Sequence, residues 1–204
     1  MRKVLLEQLA KRKQIFAAAK RLFLKLGYHG SSMNLIAQEA GVTKLTVYNH
    51  FQDKANLFTC AIEQTCEESI RTRPIHLQHD SNFKEVLAQI CHLALNIIYL
   101  PEALKLEHLL LELAAEQNPL AEPFYNASHK SLYTVWAVFF EQAIALGFVE
   151  NVAVEKQVHL LLSLLLGHRH HEILLGVRDV PTTEESKQII AEAIELLLMK
   201  YQKN

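Results

Sequence analysis

The sequence predicts an all-α protein of about nine helices. Only 6 glycines and 5 prolines occur in 204 residues, so few positions favour turns. Half of the residues (50%) are hydrophobic, which is enough to form the core of one large domain or two small ones. Apolar residues recur at helical spacing, and no strand-like alternation persists. These observations argue against a fold built on a sheet.

Stop signals divide the chain into the predicted helices. Proline or glycine follows several apolar segments, and both residues interrupt a helix. The clearest breaks are Arg73-Pro74, Leu100-Pro101, Asn118-Pro119, Gly147 and Val180-Pro181-Thr182. The predicted helices span residues 3–26, 33–40, 44–50, 54–72, 82–99, 102–117, 127–146, 152–175 and 183–202.

Two short helices joined by a tight turn follow the first long helix. Ser32 and Thr43 are suited to cap them, because a hydroxyl accepts hydrogen bonds from backbone N–H groups that have no partner in the first turn. Gly41 favours the left-handed conformation that ends the first of the two helices. Val47 and Phe51, four residues apart, are the predicted buried side of the second.

The other faces of the second short helix carry hydrogen-bond donors, a methyl-rich side chain and a phenol, but no carboxylate. Such a set suits a groove of phosphates and base edges. A glycine-hinged helix pair is also common outside DNA-binding proteins, so the hinge alone leaves both interpretations open. The residues on these faces are Lys44, Leu45, Thr46, Tyr48, Asn49 and His50.

Charge is distributed unevenly along the chain. Residues 1–56 contain 10 Lys or Arg and 3 Asp or Glu, whereas residues 57–204 contain 11 and 19. The formal net charge of −1 therefore conceals a basic N-terminal part and an acidic remainder. A basic segment is typical of nucleic-acid contact, since each neutralised phosphate releases condensed counterions. A solvated cationic helix is the alternative explanation for some of this charge.

These residues resemble the DNA-binding domain of TetR/AcrR-type transcriptional regulators. The family pattern runs approximately T-x-x-x-I-A-x-x-A-G-V-S-x-G-T-x-Y-x-H-F-x-x-K-x-x-L. The resemblance covers about residues 10–60, and only the helix layout supports it elsewhere. Leu45 stands where glycine is usual, and Leu35 where an acidic residue is frequent. The matching positions are Ser32, Ile36, Ala37, Ala40, Gly41, Val42, Thr43, Thr46, Tyr48, His50, Phe51, Lys54 and Leu57, preceded by Phe23, Gly27 and Tyr28.

The resemblance implies an N-terminal three-helix helix-turn-helix DNA-binding domain (1–53) and a C-terminal helical ligand-binding and dimerisation domain (54–204). We expect Leu45 to lie near a thymine methyl group and to alter sequence preference. The phosphate contacts implied are Ser32, Thr43, Tyr48, His50 and Lys54. The candidates for contacts to bases are Lys44, Leu45, Thr46 and Asn49.

The last two predicted helices are apolar around most of their circumference. A two-fold four-helix bundle, with two helices from each subunit, would cover them, and the resemblance implies the same homodimer. Interior helices of a monomer are the alternative. A dimer would also place two recognition helices about 34 Å apart, one turn of DNA, to read a palindromic operator. The candidate interface residues are Leu161, Leu165, Ile190, Ile194, Leu197 and Tyr201.

Aromatic residues concentrate in residues 124–148, which hold seven of the chain's 9 Phe, 6 Tyr and 1 Trp. Apolar walls with sparse polar groups are typical of a small-molecule site, although an ordinary packed core is the alternative. The resemblance favours a small hydrophobic effector that releases a repressor from its operator, and we expect no cofactor. The candidate pocket residues are His92, Asn96, His108, Glu112, Tyr133, Trp136 and Phe140.

Two other functions remain open at this point. His168, His171 and Glu172 share a helical face at i, i+3 and i+4, which is a possible metal-ligand spacing for a metal-sensing regulator or a metal enzyme. No nucleophile, base and orienting residue come together, and no H-E-x-x-H occurs, so we do not expect an enzyme. An effector-free DNA-organising or interaction protein would use the same N-terminal helices.

The sequence also predicts a cytoplasmic location, at the nucleoid when DNA is bound, and no association with a membrane. The start MRKVLLEQLAKRK lacks the apolar stretch of a signal peptide. The longest apolar run, residues 158–167, is too short for a membrane span. Three cysteines without metal spacing, Cys60, Cys66 and Cys91, are typical of reduced thiols.

Overall fold

The chain folds into α-helices in a computed structural model. The structure describes the backbone of residues 2–70 and 77–203 and the side chains of residues 6–65 and 77–203. The helices are α1 (Arg2–Leu26), α2 (Met33–Glu39), α3 (Lys44–Phe51), α4 (Lys54–Ile70), α5 (Phe83–Ile98), α6 (Pro101–Ala115), α7 (Ala121–Tyr125), α8 (Ser131–Ala145), α9 (Val154–Leu174) and α10 (Thr183–Tyr201).

A π-helical turn, Asn126–Lys130, joins α7 to α8, so the described ranges contain nine continuous helical segments. The β pairing recorded in these ranges is one antiparallel bridge between Val149 and Gln202. The all-α prediction is therefore confirmed. The predicted break at Arg73-Pro74 and the side chain of Cys66 lie outside the described residues.

Two helices differ from their predicted form. The helix predicted to begin at residue 127 begins at Ala121, because Pro123 lies in the first turn, where its missing N–H is not needed. Helix α9 spans the predicted range but breaks at Gly167, whose φ of 54° and ψ of −159° are not helical. Gly167 is the type of residue that adopts a positive φ without steric cost.

The chain packs as two compact units. Unit 1 comprises Met1–Ser69 and Lys105–His129, and unit 2 comprises Ile70–Leu104 and Lys130–Asn204. Unit 1 thus contains the first three helices together with α4, α7 and most of α6. The predicted functional domains, residues 1–53 and 54–204, stay a prediction.

The core of unit 1 joins helices that are distant in sequence. Phe58 of α4 packs edge-on against Phe23 of α1, with ring centroids 5.0 Å apart, and against Phe124 of α7 at 5.6 Å. Leu109 and Leu113 of α6 belong to the same buried cluster. Helices α2 and α3 therefore rest on a support that includes residues far along the chain.

The core of unit 2 is formed by α5, α8, α9 and α10. Helix α10 packs against α5 and α9, and α9 packs against α8. Trp136 and Phe140 of α8 are almost fully buried in this cluster. Phe83 stacks between Phe139 and Phe148, with its ring within 9° of parallel to both.

The structure corrects the residues chosen for a dimer interface. All six belong to the core of unit 2 and are at most 6% exposed within one chain. The sides of α9 and α10 that carry these six residues are covered within their own subunit, which leaves these side chains no surface for a partner. The residues concerned are Leu161, Leu165, Ile190, Ile194, Leu197 and Tyr201.

Among the described residues, no single helix has both the length and the apolar composition needed to cross a membrane. Taken together as one bent pair, α5 and α6 meet those two criteria.

Candidate nucleic-acid interface

Helices α2 and α3 form a capped helix-turn-helix. The Ser32 hydroxyl accepts a hydrogen bond from the Leu35 N–H at 3.2 Å, and the Thr43 hydroxyl accepts one from the Thr46 N–H at 3.2 Å. Gly41 has a φ of +65° in the turn between the helices. Each cap satisfies a backbone donor that has no partner within its helix. The predicted caps and turn are confirmed.

Helix α3 has one buried side and one exposed side. Val47 and Phe51 are 0% and 1% exposed, as predicted, whereas Leu45 is 68% exposed and Tyr48 is 38% exposed. Lys44 and Asn49 are also exposed. Because the buried pair fixes the orientation of the helix, the exposed side presents an ammonium, an amide, a phenol and an apolar side chain in one place.

Several of the predicted contact residues already have partners within the chain. The Thr46 hydroxyl lies 2.8 Å from the Thr43 hydroxyl. The Lys44 ammonium lies over the Tyr48 ring, 5.5 Å from its centroid. His50 is half-buried, with its ring 6.1 Å from the Phe51 ring. On α3 itself, the exposed members of the predicted set are Lys44, Leu45, Tyr48 and Asn49.

Lys54 lies at the start of α4, where its ammonium group is directed into the protein. Its Nζ donates to the carbonyl oxygens of Tyr28 and Ser31, at 3.0 and 3.1 Å. Burial lowers the pKa of Lys54 from its ordinary value. An ammonium has three donors, so two are occupied here and the predicted phosphate contact stays a prediction.

Arg12 was not among the predicted site residues, although it contacts the recognition helix. Its guanidinium lies 4.6 Å from the centroid of the Phe51 ring and 5.0 Å from that of Phe16. Such cation–π contacts hold α1 against α3. The spacing of Arg12 and Phe16, i and i+4, was a usable signal, but nothing in the sequence connected either residue to Phe51.

The predicted pocket residues do not form one buried set. On α8, the structure brings Trp136 and Phe140 together in the core, with Tyr133 half-buried beside them. His92 is half-buried, whereas Asn96, His108 and Glu112 are exposed. Two cavities in the described residues lie away from the predicted pocket residues: one of about 480 Å³ near Asn82 and Met199, and one of about 300 Å³ between α1 and α4.

The cluster at His168 does not support metal sensing. Glu172 forms an ion pair with Arg178 at 3.0 Å, and its other oxygen lies 3.9 Å from the His168 ring nitrogen. Among the side chains that the structure describes, no group of three or more His, Cys, Asp or Glu could hold a metal ion. Glu172 is thus paired with a guanidinium, and the metal-sensing alternative is withdrawn.

The comparisons with known proteins agree with this geometry. Residues 15–59 match the family of bacterial regulatory proteins called the tetR family. Residues 85–203, more than half of the chain, match the C-terminal domain of AefR-like transcriptional repressors. The chain belongs to the TetR family. The TetR resemblance inferred from residues 10–60 is thereby confirmed and extended to the C-terminal helices.

Solved TetR-family structures are similar over almost the whole chain. A protein from Mesorhizobium loti assigned to the family has a TM-score of 0.85 at 25% identity, covering 96% of this chain and 98% of its own. The flavonoid-responsive regulator FrrA has a TM-score of 0.80 at 28% identity, covering 94% and 97%.

Among curated relatives, LmrA of Bacillus subtilis is 28% identical over 142 residues, which are 65% of this chain and 70% of LmrA. Three relatives that are 37% to 44% identical match over only 22% to 30% of their own length. TetR-family proteins are transcription regulators and not enzymes, and this chain is therefore a transcription regulator. Dimerisation and ligand binding are typical of the family.

Proposed function

We propose that the protein is a homodimeric transcriptional repressor that binds a palindromic operator and is released by a small hydrophobic effector. The observation that carries this proposal is the exposed side of α3, where Lys44, Leu45, Tyr48 and Asn49 are open while Val47 and Phe51 are buried. Such a helix can enter the major groove without unfolding its own support.

The exposed residues suggest a division of roles on DNA. Lys44, Leu45 and Asn49 are our candidates for base edges, with Thr46 behind them and partly engaged by Thr43. Tyr48 is our candidate for a phosphate. The remaining phosphate contacts that we propose come from Ser32, Thr43, His50 and Lys54, of which Lys54 keeps one free donor.

The dimer would use side chains other than the six first chosen. In unit 2, several large apolar side chains after α9 and on α10 are exposed, and exposed apolar surface is typical of an interaction site. We therefore propose that these side chains contribute to the subunit contact. They are Leu175, Val177, Leu196 and Met199, at 77%, 75%, 41% and 78% exposure.

An effector would act by binding one of two dimer geometries more tightly. A difference of about 1.4 kcal/mol in its affinity for the two geometries shifts their ratio tenfold. FrrA, 28% identical over most of the chain, is flavonoid-responsive, which supports a response to a small organic molecule here. We place the protein in the cytoplasm, at the nucleoid when it is bound to DNA.

A footprint on the DNA upstream of its own gene and of the neighbouring gene tests this function. We expect a two-fold symmetric protected region, steep loss of binding with salt, and release by at least one compound from a panel of hydrophobic molecules that includes flavonoids. Symmetric binding that no compound changes would instead favour the effector-free alternative. Absence of a specific footprint would contradict the proposal.

A further inference from the structure

Buried hydrogen-bond donors without a protein partner lie along one face of α8. Trp136 is 2% exposed, and its Nε1 has no hydrogen-bond partner within the part of the chain that the structure describes. The same holds for the hydroxyl of Tyr133, three residues earlier and on the same face of the helix. Buried polar groups are almost always hydrogen-bonded, so such atoms require an explanation.

A third atom of this kind is the hydroxyl of Tyr99, at the end of α5 in the same unit. Burial raises the pKa of both tyrosines, and the nearby carboxylate of Glu155 raises that of Tyr133 further. Both hydroxyls therefore remain protonated. The indole N–H of Trp136 can only donate. A partner for the indole must therefore offer a hydrogen-bond acceptor, and the tyrosine hydroxyls can donate to an acceptor as well.

The surroundings of these donors are aromatic. Trp136 packs edge-on against Phe139, with ring centroids 6.4 Å apart, and Phe140 is fully buried beside them. The ring of His159 on α9 lies 5.5 Å from the Tyr133 ring. A molecule that reaches the donors must therefore combine an apolar body with one or more acceptor atoms.

Helix α9, which packs against α8, is broken between the two histidines whose rings lie near these tyrosines. The break at Gly167 lies between His159, which contacts Tyr133, and His170, whose ring is 5.8 Å from that of Tyr99. The ideal Cβ position at Gly167 has no heavy atom within 4 Å, so packing does not lock this residue. The break thus separates the part of α9 that lies near Tyr133 from the part that lies near Tyr99.

We infer that the effector carries a hydrogen-bond acceptor, a carbonyl or carboxylate oxygen on an apolar body, which binds the indole N–H of Trp136 and the hydroxyl of Tyr133. This inference rests on the effector response proposed above and names the chemistry that the effector must have. Among the predicted pocket residues, Asn96, His108 and Glu112 are exposed and are not part of this proposed binding site.

The substitution Tyr133→Phe tests whether the hydroxyl is unpaired in the ligand-free protein. Removing an unpaired buried hydroxyl breaks no hydrogen bond. The Tm of the ligand-free variant should therefore equal or exceed that of the parent. The matched control is Tyr125→Phe, because Tyr125 is 51% exposed. A Tm several degrees below that of the parent for Tyr133→Phe alone would show that the hydroxyl already has a partner and would overturn the inference.

Three probes of equal chain length test the preference for acceptors: decan-2-one, decanoate and decylammonium. The chain has one tryptophan, so its fluorescence reports on this position directly. We expect the ketone and the carboxylate to shift the Trp136 emission and raise the Tm, and decylammonium to do neither. Equal responses to all three, or no response to either acceptor probe, would overturn the inference.

Variants then connect binding to the donors. Tyr133→Phe and Trp136→Phe should each weaken binding of decan-2-one, measured by calorimetry, by about three- to tenfold, whereas Tyr125→Phe should not. Unchanged affinity in both α8 variants would contradict the assignment. Operator binding, measured separately, distinguishes failure of this inference from failure of the proposed function. A protein that binds its operator but shows no preference for acceptor probes would refute this inference alone.

Discussion

The ammonium of Lys54 lies 4.1 Å from the centre of the Tyr28 ring, between two carbonyl groups to which it donates. One of these carbonyls belongs to Tyr28 and the other to Ser31, just before α2 begins. The start of α4 is thus fastened to the turn that leads from α1 into the helix-turn-helix. Lys54 supports the site from within, whatever it contributes to DNA.

Replacing this lysine should therefore lower the stability of the protein. We expect Lys54→Met to reduce the free energy of unfolding by about 1–3 kcal/mol, because hydrogen bonds to a charged group and a cation–π contact are lost. Urea denaturation followed by circular dichroism measures the change. The matched control is Lys44→Met, since Lys44 is exposed on α3. It should leave stability almost unchanged but weaken DNA binding and relax the base preference at the position that Lys44 contacts.

Two leucines on neighbouring helices should separate recognition from folding. Leu45→Ala should leave stability within about 0.5 kcal/mol, because the side chain is 68% exposed, but should change which bases are preferred in a binding-site selection experiment. Leu57→Ala should cost about 2–5 kcal/mol, because Leu57 is 0% exposed. A Leu45→Ala protein with unchanged base preference would remove Leu45 from the recognition surface.

Two residues of α10 should separate dimerisation from folding. Met199 is 78% exposed, so Met199→Glu should leave chain stability almost unchanged but shift the molecular mass in sedimentation experiments towards the monomer. Leu197 is 0% exposed, and Leu197→Ala should destabilise the fold by about 2–5 kcal/mol. A Met199→Glu protein that remains a dimer would exclude this face from the interface.

The capping box at the start of α10 should make the stability of the protein pH-dependent in the acid range. Hydrogen bonds from the backbone and the hydroxyl of Thr182 lower the pKa of Glu185 below its ordinary value of 4.5. A carboxylate with a lowered pKa contributes stability above pH 4.5 that is lost as the pH falls through the lowered value.

Glu185→Gln should weaken this pH dependence while keeping the cap, because glutamine also forms a capping box. Denaturation experiments between about pH 3 and pH 7 measure the difference. Glu184→Gln is the control, since Glu184 is the neighbouring carboxylate and is paired with Lys187 instead. Identical pH profiles for the parent and Glu185→Gln would show that the Thr182 contacts have no effect on stability.

Much of the fold follows from local rules that can be applied to the sequence. Ser32, Thr43 and Gly41 act over a few residues, and all three were predicted correctly. The end of α3 was predicted to within one residue, but the backbone conformation that ends it was not. Gln52 follows the end of α3 with a φ of 60°, a conformation for which glutamine has no preference.

The site shows the same limit of sequence reasoning. The two sides of α3 were predicted because one helical period separates Val47 from Phe51. The contact between Arg12 and Phe51 was missed, since no pattern connects residues 39 positions apart. Apolar periodicity marked Leu161 and Ile194 as buried, but could not determine whether the same subunit or a partner covers them.

The packing of residues 105–129 with the first 69 has a practical consequence for building hybrid regulators. A chimera that exchanges only the N-terminal sequence would cut through one hydrophobic core, leaving Phe124 to meet a foreign residue in place of Phe58. Leu109 and Leu113 would face the same mismatch. A donor of new operator specificity should therefore supply both segments, or be chosen to match these side chains in volume.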